Sequence, residues 1–168
     1  MKTKNKSNIH TISFLVANKP GVLVRVALVF ARRGYNIDSL VVSPSLDEKF
    51  SRMTITAQGE PETLEQIIKQ TAKLVDVICA GEHSEEDSVD REMMLVKVKH
   101  ASTSKSIIMK QAKKYSASII DEDEKTIIIA QIGTSDELDE FEAILKKYVV
   151  IEMVRSGKLV MVKGQQST

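Results

Sequence analysis

Reactive side chains are scarce in this chain. A single cysteine, Cys79, rules out an internal disulfide and fits a reducing compartment. It lies in the apolar run 74–80, which predicts a buried strand with Cys79 as a small core hydrophobe. With no Trp, four Phe and three Tyr, too few rings exist for a base-stacking surface. The net charge of +1 provides no field to gather nucleic acid or an anionic membrane. No apolar run approaches the ~20 residues that span a bilayer. The polar start, Met1 to Asn8, lacks the apolar centre of a signal peptide. A soluble, cytoplasmic protein is expected.

Catalytic motifs are missing as well. The glycine-rich phosphate loops and the serine nucleophile elbow do not occur. His10, His83 and His100 stand at spacings that match no metal site and read as surface or strand-end residues. The carboxylate clusters Glu85-Glu86-Asp87 and Asp121-Glu122-Asp123-Glu124 lie in turn-like segments without the order of a calcium loop. No catalytic or metal site is expected.

What the chain does have is periodicity. Ile12, Phe14 and Val16 alternate along a strand over 9–17. Pro20 and Gly21 open a helix in which Val22, Leu23, Val26, Ala27, Val29 and Phe30 share one face, and Gly34 can end it. A strand over 35–44, a connection at 45–49 and an alternating strand over 50–58 form a hairpin. A helix from Pro61 follows, with Leu64, Ile67, Ile68, Thr71 and Leu74 inward, and a strand around 75–79 closes the unit. The acidic, aperiodic stretch 81–90 predicts a linker.

The pattern then repeats. Met94, Val96 and Val98 mark a strand; Ser102 to Ser104 can cap a helix; a hairpin turns at 122–125. Thr134 and Glu137 suit a capping box, and strands follow at 149–154 and 158–162. The expected fold class is α+β, with two ferredoxin-like βαββαβ units: 9–82, a linker 83–91, and 92–164. RNA-recognition domains share this topology but carry rings on their central strands, and the strand over 51–58 has none. A sheet with both helices on one face leaves the other bare, and Leu15, Ile78 and Ile128 fall off the main stripes. Dimerisation is therefore expected.

The loop Asn18-Lys19-Pro20-Gly21 is the most distinctive segment. Amides at a helix start receive carboxylates, Gly21 leaves room for a ligand, and Asn18 offers an acceptor to an ammonium. These groups suit the zwitterionic end of a free amino acid. The same residues also describe a plain turn with a capping Asn and a permissive Gly.

The stretches FLVANKPGVLVRVALVFARRGYNIDSLVVSP, LDEKFSRMTI and EQIIKQTAKLVDV closely resemble the small subunit of acetohydroxyacid (acetolactate) synthase, which begins with an amino-acid-sensing ACT domain. VDREMMLVKV and IEMVRSGKLVMVKG resemble the C-terminal domain of that family. The resemblance implies a non-catalytic subunit in branched-chain amino-acid biosynthesis. Its implied partner is a catalytic large subunit, which carries thiamine diphosphate, Mg and FAD; this chain carries no cofactor. The small subunit raises that enzyme's activity and confers feedback inhibition by valine, sometimes by leucine or isoleucine. The implied effector site uses Asn18, Gly21, Val22 and Leu23 of one chain with Asn36 and Ile37 of its partner in a homodimer. Two other classes stay open on the sequence: a free-standing amino-acid-binding ACT protein, and a small enzyme with an unrecognised site.

Overall fold

The computed structural model describes residues 8–165. The chain divides into two units, 1–90 with 157–168, and 91–156.

The first unit runs β1 (Ile9–Ala17), α1 (Val22–Arg32), β2 (Ser39–Pro44), β3 (Phe50–Gln58), α2 (Pro61–Thr71) and β4 (Val77–His83). Its antiparallel sheet has the order β2-β3-β1-β4, so β2 and β4 are the edges. The period-two stripe Ile12, Phe14, Val16 faces the helices and pairs with Ile55, Met53 and Ser51 of β3. Val22, Val26 and Phe30 of α1 and Leu64 and Ile67 of α2 close over it, all at most 3% exposed. Burial on that scale contributes about 1.5–3 kcal/mol per large side chain, so this face is the apolar core of the unit. Thr71 belongs to the same buried face, its hydroxyl donating to Ile67 O at 2.8 Å.

The second unit repeats the plan: β5 (Ser88–Lys99), which starts at the unit boundary, α3 (Ser102–Lys114), β6 (Ser118–Glu122), β7 (Thr126–Gly133), α4 (Ser135–Leu145) and β8 (Val149–Arg155). The sheet order is β6-β7-β5-β8, and β9 (Leu159–Val162) also pairs with β5. Met94, Val96, Val98, Ile127 and Ile129 meet Ile108, Ala112, Leu138, Phe141 and Leu145 in its core. Thr134 and Glu137 form the expected capping box: Glu137 N donates to Thr134 Oγ1, and Thr134 N donates to Glu137 Oε2. At α3 the cap is different from that expected, with Ala101 as N-cap and its N–H donating to Ser104 Oγ. Arg155 joins β8 to β5 and α4 by donating to Glu92, itself 7% exposed, and to Asp139.

Several details differ from the sequence expectation. Cys79 is exposed, not buried. The ladder between β1 and β4 shifts register between Leu15 and Val16, so Val77 and Ala80 pack on the core while Cys79, opposite Leu15, faces outward. The 81–90 stretch is not wholly irregular: β4 runs on to His83, and β5 begins at Ser88 after a turn. An edge strand is held by its main chain, so Glu82 and His83 extend it without apolar side chains.

The two outer sheet faces are unlike. In the first unit Thr11, Ser13, Thr54 and Thr56 occupy the outer face and are at most 8% exposed. The segment after residue 156, expected in the second unit, groups with the first. Gly157 lies against Ser39 and Val41 of β2 so closely that a Cβ there would stand 2.8 Å from Ser39 Cβ. In the second unit Leu95, Ile132 and Val154 stay 38%, 68% and 55% exposed on the outer face.

Candidate functional site

The loop between β1 and α1 is shaped by main-chain bonds. Asn18 N donates to Lys49 O at 2.8 Å, and Lys19 N to Ala17 O at 2.9 Å. Gly21 caps α1 with φ +84°, in the left-handed region where a side chain is disfavoured. No side chain caps the helix, and no acid stands in its first turn. The first intrahelical bond is Arg25 N to Gly21 O at 3.1 Å. The amides of Leu23 and Val24 therefore stay unspent, and the positive end of the helix dipole is uncompensated. An anion is the natural partner for such an end.

Asn18 is exposed, and its Nδ2 donates to Glu48 O at 2.9 Å. That bond ties the loop to the turn between β2 and β3, and it leaves Oδ1 to accept from a ligand. Val22 is buried and anchors the helix, whereas Leu23 is 41% exposed beside the loop. Leu23 was expected on the inward face with Val22, but it lies at its margin.

The sequence reading missed Arg25. A Cβ on Gly21 would lie 3.2 Å from Arg25 Nη1, so the guanidinium stands over the helix start. Arg25 Nη2 donates to Asp76 Oδ2 at 2.5 Å, just before β4. The signal was available: Arg25 is one turn beyond Gly21, the spacing at which side chains reach back along a helix. Its partner Asp76 is distant in sequence and was not legible. Bare amides and a guanidinium suit a small carboxylate, while Asn18 Oδ1 suits an ammonium.

The second half of the expected site lies elsewhere in the chain. Asn36 is exposed and Ile37 packs partly on the core, both before β2 begins. Ser39 at the start of β2 pairs with Thr56, whereas Pro44 at its end pairs with Ser51, two residues from the Lys49 that holds Asn18. Asn18 and Asn36 thus flank opposite ends of a six-residue strand, a separation of roughly 20 Å. One chain does not bring the two halves together.

No group of three or more His, Cys, Asp or Glu that could hold a metal occurs among the described residues. No helix among them is long and apolar enough to cross a membrane.

Comparison with known proteins gives a consistent result. Residues 12–79 match the AHAS small subunit-like ACT domain family, and residues 91–164 match the family described as small subunit of acetolactate synthase. The chain is 40% identical over 157 residues to a probable acetolactate synthase small subunit of Archaeoglobus fulgidus, covering 94% of this chain and 98% of the relative. It is 38% identical to the acetolactate synthase small subunit of Mycolicibacterium smegmatis, covering 95% and 94%. Among solved structures, the acetolactate synthase small subunit of Thermotoga maritima superposes with a TM-score of 0.84 at 37% identity, covering 94% of this chain and 99% of that one. Two α+β units, the first an ACT domain, and these likenesses over nearly the full length show that the chain belongs to the acetolactate synthase small-subunit family.

Proposed function

We propose that this chain is the non-catalytic regulatory subunit of acetohydroxyacid synthase, that it activates a catalytic subunit, and that it carries feedback inhibition by valine bound between two copies of its first unit. The thiamine diphosphate, Mg and FAD of the reaction belong to the catalytic subunit in this reading.

The observation that carries it is the position of β2. It is an edge strand, free to pair with another chain. Antiparallel pairing of two β2 strands about a two-fold axis sets the Ser39 end of one opposite the Pro44 end of the other. Asn36 and Ile37 of one chain then approach Asn18, Gly21 and the start of α1 of its partner. Beside this edge α1 exposes Leu23, Val24 and Leu28, at 41%, 60% and 44%, and β2 exposes Val42. That apolar strip supports a homodimer. In the completed site the α1 amides and Arg25 receive the carboxylate, Asn18 Oδ1 the ammonium, and Leu23 with Ile37 the branched side chain.

The test is acetolactate formation by the purified catalytic subunit, with and without this chain, across a valine titration. The expected result is higher activity on adding the chain and an inhibition by valine that depends on it. Unchanged activity at saturating chain would refute the reading. Sedimentation should show a dimer at micromolar concentration, and monomer alone with valine present would refute the shared site.

A further inference from the structure

We infer that the groove between α3 and β6 docks an acidic segment of the catalytic subunit bearing an apolar anchor, an inference that rests on the function proposed above. The groove is open, holds about 390 Å³, and is lined by Met109, Lys110, Ala112, Lys113, Ala117 and Ile119. Two alanines line it where larger residues would close it. Met109 is 41% exposed, and Ile107 on the same helix is 49% exposed. A thioether at the rim adapts to the shape of an incoming side chain.

Charge identifies the occupant. α3 carries Lys105, Lys110, Lys113 and Lys114 and no acid, whereas α4 carries Asp136, Glu137, Asp139, Glu140 and Glu142 and no base. Lys105 pairs with Glu122, and Lys114 lies 5.5 Å from the Tyr115 ring centroid. Lys110 and Lys113 have no acidic partner among the described residues, and both line the groove. Three residues apart, they present two ammoniums on one side of the helix. An apolar slot edged by two unspent cations fits an apolar side chain flanked by carboxylates. In the acidic α4 of a second copy Leu138, Phe141 and Leu145 are buried and Ile144 is half-buried, so that helix offers no fully exposed apolar anchor.

The test compares the full-length chain with Lys110→Glu/Lys113→Glu, with Met109→Ser and with the control Glu140→Lys, by measuring affinity for the purified catalytic subunit at several salt concentrations. Valine calorimetry on each variant alone reports an intact first unit, and thermal melting reports an intact second. The double reversal is expected to weaken binding about tenfold or more and to flatten its salt dependence, as loss of rim charges does. Met109→Ser is expected to weaken it about threefold with the salt dependence kept, by removing apolar contact. Parent-like affinity in both variants overturns the inference while leaving the proposed function standing. A Glu140→Lys change as damaging as the double reversal overturns it, as does assembly beyond a dimer that the reversal abolishes. A parent chain that does not bind the catalytic subunit overturns the functional reading and this inference with it.

Discussion

Two glycines set the most specific expectations for single residues. Gly21→Asp would place a carboxylate at the helix start, within reach of Arg25, whose Nη1 stands 3.2 Å from the Cβ position. The new carboxylate would compete with the effector's own for the same cation and amides. At ~4 Å and an effective dielectric of 20 the repulsion has an upper value of ~4 kcal/mol. Solvent and side-chain rotation reduce that to roughly 2 kcal/mol, still more than a tenfold loss in affinity. The variant should stimulate the catalytic subunit while resisting valine, and parent-like valine binding in calorimetry would remove Gly21 from the site. Gly157 sits at φ +80° with Ser39 Cβ 2.8 Å from its Cβ position. Gly157→Ala combines a left-handed alanine, about 1–2 kcal/mol, with a contact that is relieved by shifting either β2 or the 157 segment. Thermal melting should show roughly 2 kcal/mol or more of destabilisation; no change in melting temperature would mean that the 157 segment is not held against β2.

Between elements, the ladder joining β1 to β4 carries a pH response. His83 Nε2 and Ser13 Oγ lie 2.5 Å apart across the two strands. Partial burial lowers the His83 pKa below its ordinary 6.5, against the opposing pull of Asp87 and Glu82 and with the help of Arg52. The unfolded chain then binds a proton more readily than the folded one, so stability rises with pH in the interval between the two values. The contribution is fully present above about 6.5 and is lost as the pH falls through the lower, folded-state value. His83→Gln keeps hydrogen-bonding capacity without a titrating ring. Its melting temperature should fall less than the parent's between neutral and mildly acidic pH, at fixed protein concentration. Equal slopes in the two proteins would show that His83 does not titrate with folding.

For the molecule as a whole, the division into units gives a fragment experiment. The buried core of the first unit draws only on residues 12–67, with its packing partners reaching Ala80. A fragment of residues 1–82 should therefore fold cooperatively. It should nevertheless melt below the first unit of the full chain, because it lacks the segment from residue 157 that groups with that unit and also His83, which pairs with Thr11 and meets Ser13. A fragment that aggregates or melts without cooperativity would show that residues beyond 82 complete the core. A melting point equal to the parent's would show that those residues contribute nothing to the first unit.

The sequence by itself determined the two βαββαβ units, the inward stripes of both helices of the first unit apart from Leu23, and the capping box at Thr134. Each depends on neighbours within about seven residues, where strand and helix periods are written directly. It also marked Gly21 and Asn18, because a left-handed helix start and its flanking polar group are local features. Tertiary structure decided the rest. The register shift at Leu15 turned Cys79 outward, and the edge position of β4 allowed a polar run to be a strand. Arg25 entered the site through Asp76, 51 residues away. The tail joined the first unit through Gly157 and β2, a contact between segments more than a hundred residues apart. Side-chain period records which face of an element is buried, but not which distant segment buries it; that choice depends on pairing and packing across the whole chain.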